Sequence, residues 1–156
     1  MAVNEVSGAV VDSSMKVHSA LGPGLLESAY EACLIRELRK RGFHVDCQVA
    51  IPLLYDGETL DVGYRADLVV EKCVLVELKS IETVLPIHKA QLLSYLRLSG
   101  KEVGLLINFN VEHLKDGIKR VINSRPKFSA ASASSCVVNS FHSLQTRDQL
   151  LRQAFF

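Results

Sequence analysis

Apolar side chains at Val3, Val6, Val10, Val17 and Leu21 recur in steps of three, four and seven, which predicts a helix over about residues 4–20 with one buried face. Gly22-Pro23-Gly24 breaks it. A second helical pattern runs from about Leu25 to Arg41 with Leu26, Ala29, Tyr30, Cys33 and Leu38 on its apolar side. It closes on Arg39-Lys40-Arg41 before Gly42, where basic residues favour the negative end of the helix dipole. The period then changes to that of strands. Phe43–Ile51 predicts one strand, and Leu53-Leu54-Tyr55 and Thr59–Val62 flank the turn pair Asp56-Gly57 as a hairpin. Tyr64–Val70 and Cys73–Lys79 predict two more strands joined by a tight turn at Glu71-Lys72. Pro86 opens a helix over about 86–99, where its missing N–H costs little, and Gly100 ends it. Val103–Phe109 reads as an apolar strand, and Glu112–Asn123 as a final helix.

From Ser124 onward the periodicity fades. The run Ser129–Ser135 has low complexity and little to bury, which predicts a flexible tail over 124–156 with one short helix around 144–156. The expected organisation is thus one domain over 1–123, an α/β layer arrangement built on one sheet, with the helix-linked strand 103–109 returning parallel to an earlier one.

Composition supports a folded chain: 48% of the 156 residues are hydrophobic, enough for a real core. No apolar run approaches the ~20 residues that span a bilayer. The N-terminus has no early basic cluster followed by an apolar run, so no secretory signal is expected. The four cysteines (Cys33, Cys47, Cys73 and Cys136) have no CxxC or zinc-like spacing, as expected of reduced thiols in a cytoplasmic protein. The net charge of +1 hides an asymmetry. Residues 124–156 hold four of the 18 basic residues and one of the 17 acidic ones, leaving 14 basic against 16 acidic residues elsewhere. That balance weighs against tight nonspecific DNA binding, which is driven by neutralising phosphates.

The candidate chemistry lies at the strand ends. Alternation puts Arg65, Asp67 and Val69 on one face and Tyr64, Ala66, Leu68 and Val70 on the other. Glu77 and Lys79 share a face of the next strand, so hairpin pairing brings Asp67 and Glu77 together. Two close carboxylates repel one another but hold a hard divalent cation. Such a cation acidifies water and stabilises phosphoryl charge. A lysine two positions after the second acid can orient the attacking water or counter the charge on a scissile phosphate. Taken alone, Glu77-x-Lys79 is equally compatible with an exposed strand edge and a weak ion pair. On the following helix His88, Gln91 and Tyr95 form one stripe. It reads either as an ordinary amphipathic face or as an amide and a phenol presented to the site. Glu27, in the first turn of the second helix, also suits the helix dipole.

Gly24-Leu25-Leu26-Glu27-Ser28-Ala29-Tyr30 matches the GxxExxY signature of a small family of bacterial and archaeal proteins, which resembles the PD-(D/E)xK nuclease superfamily. The resemblance spans about residues 5–123. It includes Asp67, Glu77-Leu78-Lys79 and Gln91-x-x-x-Tyr95, the last similar to the QxxxY helix of RecB-like nucleases. Asn108-Phe109 and Leu114–Arg120 look like the family's closing stretch. The resemblance implies a restriction-endonuclease-like core, a mixed central sheet flanked by helices. It implies that Asp67, Glu77 and the Leu78 carbonyl ligate Mg²⁺ or Mn²⁺, and that Lys79 positions the nucleophilic water or stabilises the transition state. Glu27 would be the extra helical acid that supports the metal or a basic partner. Gln91 would orient the site, and Tyr95 would contact it or the nucleic acid. Ala66 stands where the superfamily name has proline, a position that varies. The expected activity is phosphodiester hydrolysis of nucleic acid, DNA in preference to RNA, with no membrane partner and with a homodimer left open. The competing expectations are a noncatalytic module on the same fold, binding nucleic acid or protein, and a structural protein in which these charges form a surface network.

Overall fold

The computed structural model of the protein describes residues 1–124. The expected low-complexity tail beyond Ser124, its short helix around 144–156 and Cys136 lie outside the described residues. Two helices, α1 (Val3–Leu21) and α2 (Glu27–Lys40), precede the strands β1 (Val45–Ala50), β2 (Leu53–Tyr55), β3 (Glu58–Leu60), β4 (Arg65–Val70) and β5 (Val74–Lys79). Then come α3 (Pro86–Ser99), β6 (Val103–Asn108), the single turn α4 (Leu114–Gly117) and β7 (Ile118–Ile122). The main sheet has the order β1-β4-β5-β6-β7. Only β5 and β6 run parallel, because α3 carries the chain back across the sheet between them.

The central strand β5 is buried on both faces, which accounts for its nearly unbroken apolar run. One face, with Leu68, Val70, Val74, Val76, Leu78, Leu105 and Ile107, packs against Val6, Val10 and Val17 of α1 and Tyr30, Leu34 and Leu38 of α2. The other, with Val69, Leu75, Leu106 and Val121, packs against Leu92, Tyr95 and Leu96 of α3. The expected alternation along β4 does not run unbroken: Ala66 joins the α3-side cluster with Val69, while Leu68 and Val70 pack on the opposite side. The break falls around Asp67. There Gln48 adopts φ 51° inside β1, and the pairing is interrupted between Cys47↔Leu68 and Val49↔Ala66.

The β2–β3 hairpin turns at Asp56 (φ 49°) and Gly57 (φ 79°), as the Asp-Gly pair predicts. It forms its own two-stranded ladder instead of joining the main sheet, which corrects the expectation of a single sheet. The hairpin leaves the sheet between Ala50 and Arg65, at the end where β5 finishes. No helix of the described residues is long and apolar enough to cross a membrane, and Cys33, Cys47 and Cys73 are free.

The segment 112–123 is not the expected helix. After one turn it becomes β7, antiparallel to β6. A bare β6 edge would expose a row of unpaired backbone groups, and β-branched Ile118, Val121 and Ile122 suit a strand there. Arg120 ties β7 to α1 through Ser7 Oγ (2.9 Å) and Asn4 Oδ1 (2.7 Å). Gly117 makes the corner between α4 and β7. A Cβ there would run into the Asn108 carbonyl oxygen and lie 3.0 Å from Val111 Cγ2. Gly117→Ala is therefore expected to lower stability by roughly 1–3 kcal/mol through overpacking. Gly8→Ala, on the exposed side of α1 with nothing within 4 Å, should gain up to about 1 kcal/mol. Urea unfolding midpoints moving in opposite directions would bear this out; equal midpoints would refute it.

Candidate active site

The β4–β5 ladder stops at Leu68↔Val76, one step before Asp67 and Glu77. Beyond that point a side chain takes over: Asp67 Oδ2 accepts a hydrogen bond from the Leu78 backbone N–H at 2.7 Å. Glu77 is only 3% exposed. Its Oε1 accepts a hydrogen bond from Lys79 Nζ at 2.8 Å, while its buried Oε2 has no hydrogen-bond partner among the described residues. Burial, then the charge of Asp67, pushes the Glu77 carboxyl up to about 7 against the opposing pull of Lys79. For Lys79, burial favours the neutral amine. The Glu77 hydrogen bond and the charges of Glu77, Glu27 and Asp67 outweigh it, so its pKa rises and the ammonium is held.

Two acids of α2 extend this negative region. Glu27 is raised by burial and by Asp67, with Lys79 and the Ser80 backbone opposing. Glu31, one turn further along the same helix face, is raised by burial, Asp67 and Glu27, and Gln48 opposes the shift. The Gln48 Nε2 donates to Glu31 Oε2 at 3.1 Å.

The start of α2 is held from below. Tyr30, fully buried, stacks on Phe109 with ring centroids 4.4 Å apart. Its hydroxyl donates to the Gly22 carbonyl (2.7 Å) and accepts from the Leu25 amide (3.1 Å). Ser80 Oγ donates to the Leu25 carbonyl at 2.6 Å, fastening that loop to the end of β5. Asn108 (1% exposed) braces the chain after Lys79: its Nδ2 donates to the Ile81 carbonyl at 2.8 Å and its Oδ1 accepts from the Ile81 amide at 3.1 Å.

On α3 the Gln91 Nε2 donates to the Tyr95 hydroxyl at 2.9 Å. Tyr95 is nearly covered and lies 6.0 Å, centroid to centroid, from the exposed Tyr64 ring. The pair sits on the sheet face that carries Leu75, and its hydrogen bond joins its members to each other instead of to Asp67, Glu77 or Lys79. His88 serves the helix end, its Nδ1 accepting from the Leu85 amide at 3.1 Å.

Of the residues singled out in sequence, Asp67, Glu77, Lys79 and Glu27 thus come within one electrostatic neighbourhood, with the Leu78 backbone bonded to Asp67. Gln91 and Tyr95 form a separate pair. Sequence reasoning missed Glu31 and Gln48, and it did not see the bracing by Tyr30 and Asn108. The four-residue step from Glu27 was a signal for Glu31; nothing local marks Gln48, because its role depends on pairing across the sheet.

The double-sided α/β core thus ends its central strand in Glu77 and Lys79, with Asp67 on the neighbouring strand β4, the acid, acid and lysine set of a nuclease-like fold. The chain belongs to the PD-(D/E)XK nuclease superfamily, whose family model matches residues 4–121. No curated protein and no solved structure matches it.

Superfamily membership brings a divalent metal into question, and the donor set fits one. Carboxylate and carbonyl oxygens are hard donors suited to Mg²⁺ or Mn²⁺, and the orphaned Glu77 Oε2 is a buried acceptor in want of a cation or proton. Among the described residues no three His, Cys, Asp or Glu side chains converge as a ready-made shell. A cation here would draw on few side chains and keep several waters, as magnesium does.

The same carboxylate makes stability pH-dependent in metal-free protein. Folding raises the Glu77 pKa from 4.5 to about 7, so the folded state holds this proton more tightly. Its contribution is greatest below the unfolded pKa and is lost as pH climbs through the folded one. Glu77→Gln should remove that loss and raise metal-free stability at pH 8 by up to about 3 kcal/mol. Thermal melts at pH 5 and pH 8 in EDTA test this; a variant less stable than wild type at pH 8 would contradict it.

Proposed function

We propose that the protein is a Mg²⁺- or Mn²⁺-dependent nuclease of the GxxExxY type that hydrolyses phosphodiester bonds of nucleic acid, DNA in preference to RNA. The observation that carries this reading is the buried, half-satisfied Glu77 between Asp67 and Lys79. A protein without need of a cation gains nothing from such a group, since an unpaired buried carboxylate oxygen is costly. Perturbed carboxylates of this kind cluster at functional sites.

Asp67, Glu77 and the Leu78 carbonyl would hold the cation, which supplies Lewis-acid stabilisation of phosphoryl charge and a more acidic water. The chain's own residues do the rest. Lys79, charged and anchored on Glu77, offers the remaining N–H donors of its ammonium to a water or to a phosphate oxygen as negative charge grows there. Glu27 adds negative charge that favours both the cation and the Lys79 ammonium. Gln91 and Tyr95 would act from the α3 side only as a bonded pair, apart from the carboxylates.

The weak overall charge argues for contacts other than phosphate neutralisation. Leu26 before α2, Tyr55 on the hairpin, Tyr64 before β4 and Ile87 in the first turn of α3 are exposed. Aromatic and apolar surface of this kind suits the faces of unstacked bases.

The test is cleavage of single- and double-stranded DNA and RNA with Mg²⁺ or Mn²⁺. Cleavage should appear with metal, vanish in EDTA, fall by about 10²-fold or more in Lys79→Ala, and be lost in Asp67→Asn and Glu77→Gln. Identical product traces for wild type and Lys79→Ala on every substrate would overturn the proposal.

A further inference from the structure

The edge strand β1 contains one backbone position that its own sequence does not explain. Gln48, with neither the permissive backbone of glycine nor the self-bonding of asparagine, adopts φ 51° in the middle of the strand. A left-handed conformation costs roughly 1–2 kcal/mol for such a residue and persists where surrounding structure holds it. Here Gln48 falls between the paired positions Cys47↔Leu68 and Val49↔Ala66, on the stretch of β1 that runs alongside Asp67 of β4. Its amide nitrogen reaches across to α2 and bonds Glu31 Oε2 at 3.1 Å. Glu31 lies one turn beyond Glu27, on the helix face turned toward the end of β5.

We propose that Glu31, held by Gln48, is a positioning residue of the site that strengthens its hold on a divalent cation through the negative charge it sets beside Asp67. The inference rests on the cation-dependent reading above and adds two residues to it. The independent sign that a cation is wanted is Glu77 Oε2, which is buried and without a partner among the described residues; Oε1 of the same carboxylate is already taken by Lys79. Ser80 Oγ fastens the loop before Glu27 to the end of β5 and Gln48 fastens Glu31 to β1, so both acids of α2 are held at the end of the sheet that carries Asp67. Since no three side chains converge as ligands among the described residues, Glu31 acts by charge at a short distance. The donated Gln48 hydrogen bond stabilises the charged form of Glu31.

The test is calorimetric titration of Mn²⁺ into the full chain, comparing wild type, Glu31→Gln, Gln48→Gly, Asp67→Asn and Asp12→Asn. Asp12 lies exposed on α1 and controls for the loss of one formal charge. Glu31→Gln should bind Mn²⁺ about three- to tenfold more weakly, the size of one nearby charge in a partly screened setting. Gln48→Gly should bind about two- to threefold more weakly, yet its urea midpoint should not fall, because glycine accepts φ 51° without strain. That split separates a site role from a structural one. At saturating Mn²⁺ the cleavage rate of both variants should return toward wild type. If both variants bind Mn²⁺ as Asp12→Asn does while Asp67→Asn loses binding, the proposal is wrong and the cation site stands. If wild type binds no Mn²⁺, or Asp67→Asn binds it undiminished, the cation-dependent reading falls and takes this proposal with it.

Discussion

A carboxylate with one oxygen satisfied by a lysine and the other by nothing among the described residues lies buried at the end of the central strand, and much of the architecture keeps it there. Glu77 can be this buried only because β5 is covered on both faces by helices. It can stay charged only with positive charge at hand. Lys79 provides part of that charge and is in turn held as an ammonium by Glu77, Glu27 and Asp67. Such burial costs stability, and perturbed carboxylates of this kind cluster at functional sites.

The surrounding polar contacts serve this end of the sheet. Backbone pairing between β4 and β5 gives way to a side-chain contact at Asp67, which opens the sheet where the carboxylates meet. Ser80, Ile81 and the loop before α2 would otherwise be free to drift. They are tied by Ser80 to Leu25, by Asn108 to Ile81 and by Tyr30 to Gly22 and Leu25. The tyrosine of the GxxExxY signature is therefore a brace: it fixes the loop from which α2 starts, and so the position of Glu27, without itself facing the carboxylates. Gly117 does related work at the far side of β6, letting the backbone of the last turn close onto Asn108.

Much of the fold was legible because it rests on periodicity. The apolar stripes of the first two helices, the Asp56-Gly57 turn, Pro86 and Gly100 are local signals, and the elements form within a residue or two of the expected bounds. The last element failed because its identity is not local. Leu114–Ile122 has enough apolar positions for a short helix, and the open edge of β6 claims most of it as a strand. The alternation expected along β4 failed around Asp67 for a similar reason, since the distortion lies in a different strand.

The sequence by itself determined the residue types and their spacing: an acid, then an acid-x-lysine triplet ten residues on, and an early helical Glu within GxxExxY. Two apolar runs joined at Glu71-Lys72 were enough to set the acids on neighbouring strands. Only the tertiary structure decided how charged each of them is, because a pKa depends on burial and on neighbours remote in the chain. It also decided that Glu31 and Gln48 join the same field: a contact between a helix and an edge strand, 17 residues apart, exists only once the sheet has formed.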